Sequence, residues 1–488
     1  MYRFIKLLIL LAVVVMTACT ETVDNAEAVG RQPSIYPDYK DVTIPADIAP
    51  MNFNIAGDKA DLVDVVVTGA GGETVHTQGG YADFDTDEWH EIVKKNKGGK
   101  LTFTVCVKRD GRWYRYDDFV MYVSPYDLQA WGITYRRIPP GYEVGGNIGI
   151  YQRDISTFDE FPILAESAVP GQCMNCHVAN KTSSATYNMQ VRGSHGGTMI
   201  VDKGKMRWIN TKTDSTKANT SYAYWHPSGD YSAFSTNKIY QSFFVGTGRR
   251  IEVFDTFSDV LVYDMKSNKL ILSPLLMTDD WETYPAFSAD GRTLFFCKSK
   301  HYRVPAEYDK VKYSLCKISF DAANGSYGEK IDTIIDASVT GKSYTYPRPS
   351  YDGRWLLYSV TDFGNFPVNH SEADLWMMDL KTGGTRALDE INSRDSESYH
   401  SWSADSHWIV FGSRRENGVY TQPFITSVDD KGRCTKPFLL PQKNPWEYYH
   451  ATFDSFNCPD FTDAKVDFDA GEAKRLIMSG APENVSIR

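Results

Sequence analysis

Past its first residues the chain has no apolar run long enough to span a bilayer. It has no cluster of lysine or arginine, and its formal net charge is −10, which argues against nucleic acid as a partner. Several motifs of common chemistry are missing. There is no Gly-x-Ser-x-Gly turn to present a hydrolase nucleophile, no Walker loop, no His-Glu-x-x-His and no EF-hand loop. Cysteine is scarce, at 8 in 488 residues, and only one pair has CxxC spacing. A closed zinc shell built from two such pairs is therefore disfavoured.

That one pair carries the strongest chemical signal. Residues 173–177 read Cys173-Met174-Asn175-Cys176-His177, the spacing of covalent c-type haem attachment. Two thiols three positions apart can add to the porphyrin vinyl groups, and the adjacent imidazole of His177 can ligate the iron. A thioredoxin-like pair would sit at a strand-to-helix junction, whereas Pro170-Gly171 and the polar Lys181 to Ser184 flank this one. A structural disulfide is the bland alternative. The sixth iron position has three candidates nearby: His195, set among Gly193, Gly196 and Gly197, or Met189 or Met199. Arg192, with Arg136, Arg137 and Arg153, is close enough in sequence to clamp haem propionates. A single CxxCH excludes a multihaem wire.

The N-terminus reads as an export signal at residues 1–18. Arg3 and Lys6 precede the apolar Leu7 to Val15, and Met16-Thr17-Ala18-Cys19 resembles a bacterial lipobox. Lipidation at Cys19 predicts an outer-membrane lipoprotein, facing the periplasm or the cell surface and held to the membrane by the lipid alone. Export and covalent haem agree, since c-type haem is attached outside the bacterial cytoplasm. Residues 19–40 read as a flexible tether. Cys297 with Cys316, and Cys434 with Cys458, are candidate disulfide pairs in an oxidising compartment.

The second half repeats. Tyr284-Pro285-Ala286-Phe287-Ser288-Ala289-Asp290-Gly291 aligns with Tyr346 to Gly353, Tyr399 to Ser406 and Tyr222 to Gly229, and a fainter copy begins at Tyr449-His450-Ala451-Thr452. An apolar strand follows each turn. The unit reads as a four-stranded blade with an Asp-Gly hairpin, and blades stack into a propeller of five or six. Gly196 to Val201 and Lys474 to Met478 are expected to share a blade across the ring closure. The Tyr column reads as blade packing. Arg348, His400 and His450 fall just before the first strand, where they can converge at a channel mouth.

The repeat resembles that of TolB-like β-propellers of exported bacterial proteins, over roughly residues 197–482. Together with the lipobox, CMNCH and Arg192-Gly193-Ser194-His195-Gly196-Gly197, the chain resembles exported haem-bearing TolB-like lipoproteins of the Bacteroidetes. The expected fold is all-β. Residues 41–125 alternate as an immunoglobulin-like β-sandwich with one helix from Asp87 to Gly98, residues 126–196 form an irregular haem-attachment connector, and 197–488 form the propeller. The leading functional expectation is a c-type cytochrome carrying one covalent haem c and transferring electrons with a partner protein or small molecule. The alternatives are a non-enzymatic propeller scaffold that binds a protein or glycan in the envelope, and a haem-dependent oxidoreductase with an open sixth position.

Overall fold

The hairpin turns that the repeat announces are built as its residue types dictate. Gly229, Gly291 and Gly353 hold left-handed φ of 77°, 73° and 75°, and Ser406 takes the same place at 64°. The preceding Ser-x-Asp locks the turn. Ser288 Oγ donates to Asp290 Oδ1 at 2.6 Å, which also accepts from the Arg292 amide at 3.0 Å, and Ser350–Asp352 and Ser403–Asp405 repeat the contact at 2.5 and 2.6 Å.

In the computed structural model, which describes residues 20–57, 59–139, 148–244 and 251–488, these turns belong to a six-bladed β-propeller. The signal segment and Cys19 lie outside the described residues. The innermost strands, in chain order, are β1 (Gln172–Ala179), β2 (Thr220–Trp225), β3 (Trp281–Phe287), β4 (Ser343–Pro349), β5 (Glu397–Trp402) and β6 (Ser455–Thr462). β1 to β5 each open a blade continued outward by three antiparallel strands. Successive inner strands touch around the ring, and β6 closes it by lying between β5 and β1.

The closure differs from the sequence expectation. β6 pairs with Gly132–Ile138, followed outward by Gly149–Asp154 and Glu160–Ala165, so both ends of the propeller chain share one blade. Lys474 to Met478 is not a strand. It belongs to helix Ala470–Met478, which Asp469 caps and whose Ala473 and Ile477 are buried against the first blade. Residues 126–196, expected as an irregular connector, supply the three outer strands of the closing blade and the first two strands of the next. The CxxCH therefore lies on β1, a propeller strand.

Ahead of the ring, Leu62–Thr68, Thr74–Gly79, Lys100–Arg109, Arg112–Arg115 and Phe119–Val123 form the body of a seven-stranded sheet. Lys100–Arg109 carries both following strands along one edge, so these strands form one connected sheet, and the second sheet of the region is a two-stranded pair, Ile35–Tyr36 with Asn54–Ile55. Helix Thr86–Lys95 begins at its Asp85 cap and buries Trp89, Ile92 and Val93. Residues 20–40 do not run as a free tether. Glu27–Ala28 pairs with Tyr114–Arg115, Ile35–Tyr36 with Asn54–Ile55, and Tyr39 is fully buried, its hydroxyl donating to Leu439 O at 3.0 Å. The apolar Ile35 and Tyr39 hold this segment against the fifth blade. Asn52 Nδ2 donates to Lys443 O at 2.9 Å across the same contact, and the rings of Tyr126 and His407 stack at 3.7 Å.

Candidate functional site

Each inner strand bulges once as it crosses the channel, and the bulge sets which side chains face inward. Tyr222, Tyr284, Tyr346 and Tyr399 sit at the bulge with φ of 47°, 51°, 53° and 49°. A left-handed tyrosine costs about 1–2 kcal/mol, and what offsets that cost here is ring contact. The ring centroids lie 4.6 Å apart for Tyr222–Tyr284, 4.1 Å for Tyr284–Tyr346 and 5.2 Å for Tyr346–Tyr399. The column is packing, as expected, but packing of the channel itself.

The fifth member of the column is not Tyr449, which lies on helix Pro445–Ala451. It is Cys458, at the bulge of β6 with φ of 51°. Cys458-Pro459 repeats Tyr284-Pro285 and Tyr346-Pro347 with a thiol in place of the phenol, so a search keyed on tyrosine passes over it. β1 bulges between Met174 and His177, which places Cys176 beside Cys458. Both side chains pack against the same tyrosine cluster. The Cys458 thiol, with the nearby Arg136 and Arg192 guanidiniums, favours the Cys176 thiolate against burial, while Cys458 is pushed up.

Cys176, Cys458, Tyr222, Tyr346 and Tyr399 line two cavities at once, so they form a throat between them. On one side is a cavity of about 760 Å³, walled by Cys173, Arg136, Arg192 and Arg414 and by apolar residues such as Phe243 and Phe366. Asp395 is its only carboxylate among the described lining residues. Arg136 is half-buried and donates to Asn175 Oδ1, with Nε buried and unpartnered, and Arg192 has no hydrogen-bond or ion-pair partner among the described residues. Arg137 and Arg153 are turned elsewhere. Arg137 bridges Glu160 at 2.7 Å and Asp454 at 2.9 Å, and Arg153 caps backbone carbonyls.

Beyond the throat is a space of about 50 Å³, lined by the residues that follow the bulges, among them His177, Tyr224, Arg348, Ser401 and Asp460. Arg348 and His400 thus meet inside the channel rather than at its rim. The Arg348 guanidinium lies 5.1 Å from the Tyr224 ring, and His400 donates to Tyr346 O at 2.8 Å. Burial, reinforced by Arg348, brings the His400 imidazole down to about 3, and burial brings Asp460 up to about 7. His450, the third residue expected there, stacks on Trp446 at the surface with centroids 4.1 Å apart. It sits on a helix because Tyr449 is not part of the repeat.

The haem expectation can be tested on these positions. Cys173 and Cys176 both face the large cavity, and arginines suited to propionates stand beside them. His177 does not. It lies beyond the throat with Nε2 3.0 Å from Thr134 Oγ1 and Nδ1 unpartnered, and burial brings it down to about 4. The candidate sixth ligands lie elsewhere too. Met189 and Met199 are buried with Trp208 in the core of the first blade. His195 sits on a turn beside Gly480, its amide donating to Gln172 Oε1 at 3.0 Å. A Cβ on Gly197 would come within 2.7 Å of Trp208, so the flat group that this glycine admits is an indole. A haem ligated by His177 does not fit this arrangement. Among the described residues no three His, Cys, Asp or Glu side chains are grouped to hold a metal ion.

No protein-family model matches the sequence, and no curated protein does. Solved structures are similar at low identity. TolB from Acinetobacter baumannii aligns over 88% of this chain and 100% of its own, at 12% identity and a TM-score of 0.44. An oligogalacturonate lyase in complex with manganese aligns over 64% of this chain and 74% of its own, at 12% identity and 0.35. A putative dipeptidyl aminopeptidase IV from Bacteroides ovatus aligns over 65% and 60%, at 11% and 0.26. The propeller assignment rests on the six sheets themselves.

Proposed function

We propose that this chain is a non-enzymatic binding propeller of the cell envelope, anchored through Cys19, whose partner inserts a carboxylate-bearing group into the 760 Å³ cavity. One observation carries the reading: among the described lining residues of the cavity are three arginines, Arg136, Arg192 and Arg414, and a single carboxylate. Buried guanidiniums pair with carboxylates bidentately, and apolar walls strengthen such pairing by excluding water. The Phe243 and Phe366 side supplies a face for the apolar part of an acidic glycan or peptide.

Calorimetric titration of the full chain with an acidic oligosaccharide or peptide, and with its methyl ester, tests this. The acid should bind, the ester should not, and Arg192→Met should weaken the acid at least tenfold. Equal binding of acid and ester would sink the reading. Covalent haem through Cys173 and Cys176 is the competing reading, favoured by the exposure of both thiols to the same cavity. A c-type pyridine haemochrome spectrum from a host with maturation machinery would replace the binding propeller by the cytochrome.

A further inference from the structure

Three of the seven described cysteines gather at one place. Cys173, Cys176 and Cys458 all line the large cavity, whereas Cys106, Cys297, Cys316 and Cys434 are buried and line neither cavity at the throat. The pairings suggested by sequence do not survive this arrangement: Cys458 lies with Cys176 rather than Cys434, and Cys297, opposite Leu315, faces the other side of the sheet from Cys316, opposite Phe296. Cys176 is on β1 and Cys458 on β6, the first and last inner strands, and these meet where the ring closes. The two residues are far apart in sequence, yet both pack against the same buried tyrosine cluster and both line the cavities on either side of the throat.

We propose that Cys176 and Cys458 are a redox pair whose disulfide staples the ring closure at the throat. Cys173 packs on the cavity side and stays outside the bond. The chemistry is thiol–disulfide exchange with a disulfide-bearing oxidant, either a protein or a small molecule such as oxidised glutathione. One thiolate of the pair attacks the oxidant's S–S bond and releases one thiol of the oxidant. The second thiolate then attacks the mixed disulfide and releases the other. One S–S bond breaks and one forms, and the two electrons and two protons of the Cys176 and Cys458 thiols leave on the oxidant's two thiols. Access runs through the cavity, which both sulfurs line.

The staple would join the two ends of the propeller chain by a covalent bond, where strand pairing and side-chain bonds such as Arg137–Asp454 otherwise hold them. It would also fix the throat residues between the two cavities. The inference is independent of what the large cavity binds, and it excludes a thioether at Cys176.

The test is peptide mapping by mass spectrometry of the full chain after incubation with oxidised or reduced glutathione, with free thiols alkylated in denaturant before digestion. The expected result is a Cys176–Cys458 cross-linked peptide in the oxidised sample only, two hydrogens lighter than its parts. Cys173→Ser should keep the cross-link. Cys458→Ser should lose it and leave glutathione on Cys176. Three results would overturn the proposal: alkylation of both Cys176 and Cys458 in the oxidised sample, a Cys173–Cys176 cross-link, or porphyrin on Cys176. Failure of carboxylate binding with the cross-link present would count against the proposed function alone.

Discussion

The His226 imidazole donates to the carbonyl of Gly291 at 3.2 Å, tying the hairpin turn of the third blade to the end of the second blade's inner strand. A Cβ on Gly291 would stand 2.1 Å from His226 Nε2, whereas one on Gly353 would meet Ala289 at an ordinary 3.5 Å. Both glycines have left-handed φ, so alanine at either costs about 1 kcal/mol from the backbone alone. Gly291→Ala should cost at least about 1 kcal/mol more, and His226→Ala should remove that excess. Urea denaturation of wild type, the three single variants and the Gly291→Ala/His226→Ala double variant measures it, and equal losses for the two glycine variants would refute the contact's role.

Asp255 supplies a pH prediction. Its buried carboxyl accepts from Asn237 at 2.9 Å, Tyr313 at 3.1 Å and Asn365 at 2.5 Å, and burial brings its pKa up to about 7. In the unfolded chain an aspartate releases its proton near 3.9. Between about pH 4 and pH 7 the folded state therefore holds a proton that the unfolded state has lost. The stabilisation is complete below the unfolded value and disappears as pH rises through 7. Asp255→Asn should flatten the fall in stability over that window by up to about 1.4 kcal/mol per pH unit. Parallel stability curves for the two proteins would mean that Asp255 is ionised when folded.

Arg153 gives a third. It is 1% exposed, and its guanidinium donates to the carbonyls of Asp154, Thr157 and Pro441, the last at 2.9 Å. Arg153→Met keeps much of the apolar bulk and leaves those acceptors without their donor, so it should destabilise by about 2 kcal/mol or more. Because Pro441 lies just past the fifth blade, proteolytic nicking near residue 441 should rise in parallel. Wild-type stability in the variant would show that water replaces the guanidinium.

Tyr39→Phe tests the docking of the N-terminal sheet. Removing the hydroxyl leaves Leu439 O unpaired in a buried contact, and the expected loss is about 1 kcal/mol. The loss should appear as earlier proteolysis within residues 20–40 with the propeller transition unchanged. If the propeller unfolds earlier as well, the sheet and the ring are one cooperative unit.

The propeller was legible because its signal is local. Tyr-Pro-x-x-Ser-x-Asp-Gly sets a bulge and a turn within eight residues, and each copy could be read on its own. The closing blade was not legible. Gly132–Ile138 and Ser455–Thr462 pair only through the ring, and neither carries the full motif. Cys458 hid its place in the column by replacing tyrosine, and Tyr449 imitated it from a helix. At the site, spacing singled out Cys173, Cys176 and His177 as a unit but could not show the bulge that leaves both cysteines on the large cavity and His177 beyond it. Arg348 and His400 were found because they stand in the repeat, Arg136 and Arg192 because they lie near the CxxCH in sequence, and Arg414 had no pattern to mark it as a cavity residue.

The shared blade has a consequence for how the chain is made. Its three outer strands emerge early, before the other five blades, and its inner strand emerges last of the six inner strands. Throughout synthesis the strand Gly132–Ile138 keeps open the edge that Ser455–Thr462 later takes. The growing propeller is thus an unfinished circle until residues 455–462 arrive, and a chain cut short of them keeps a sticky edge rather than ending as a smaller stable protein.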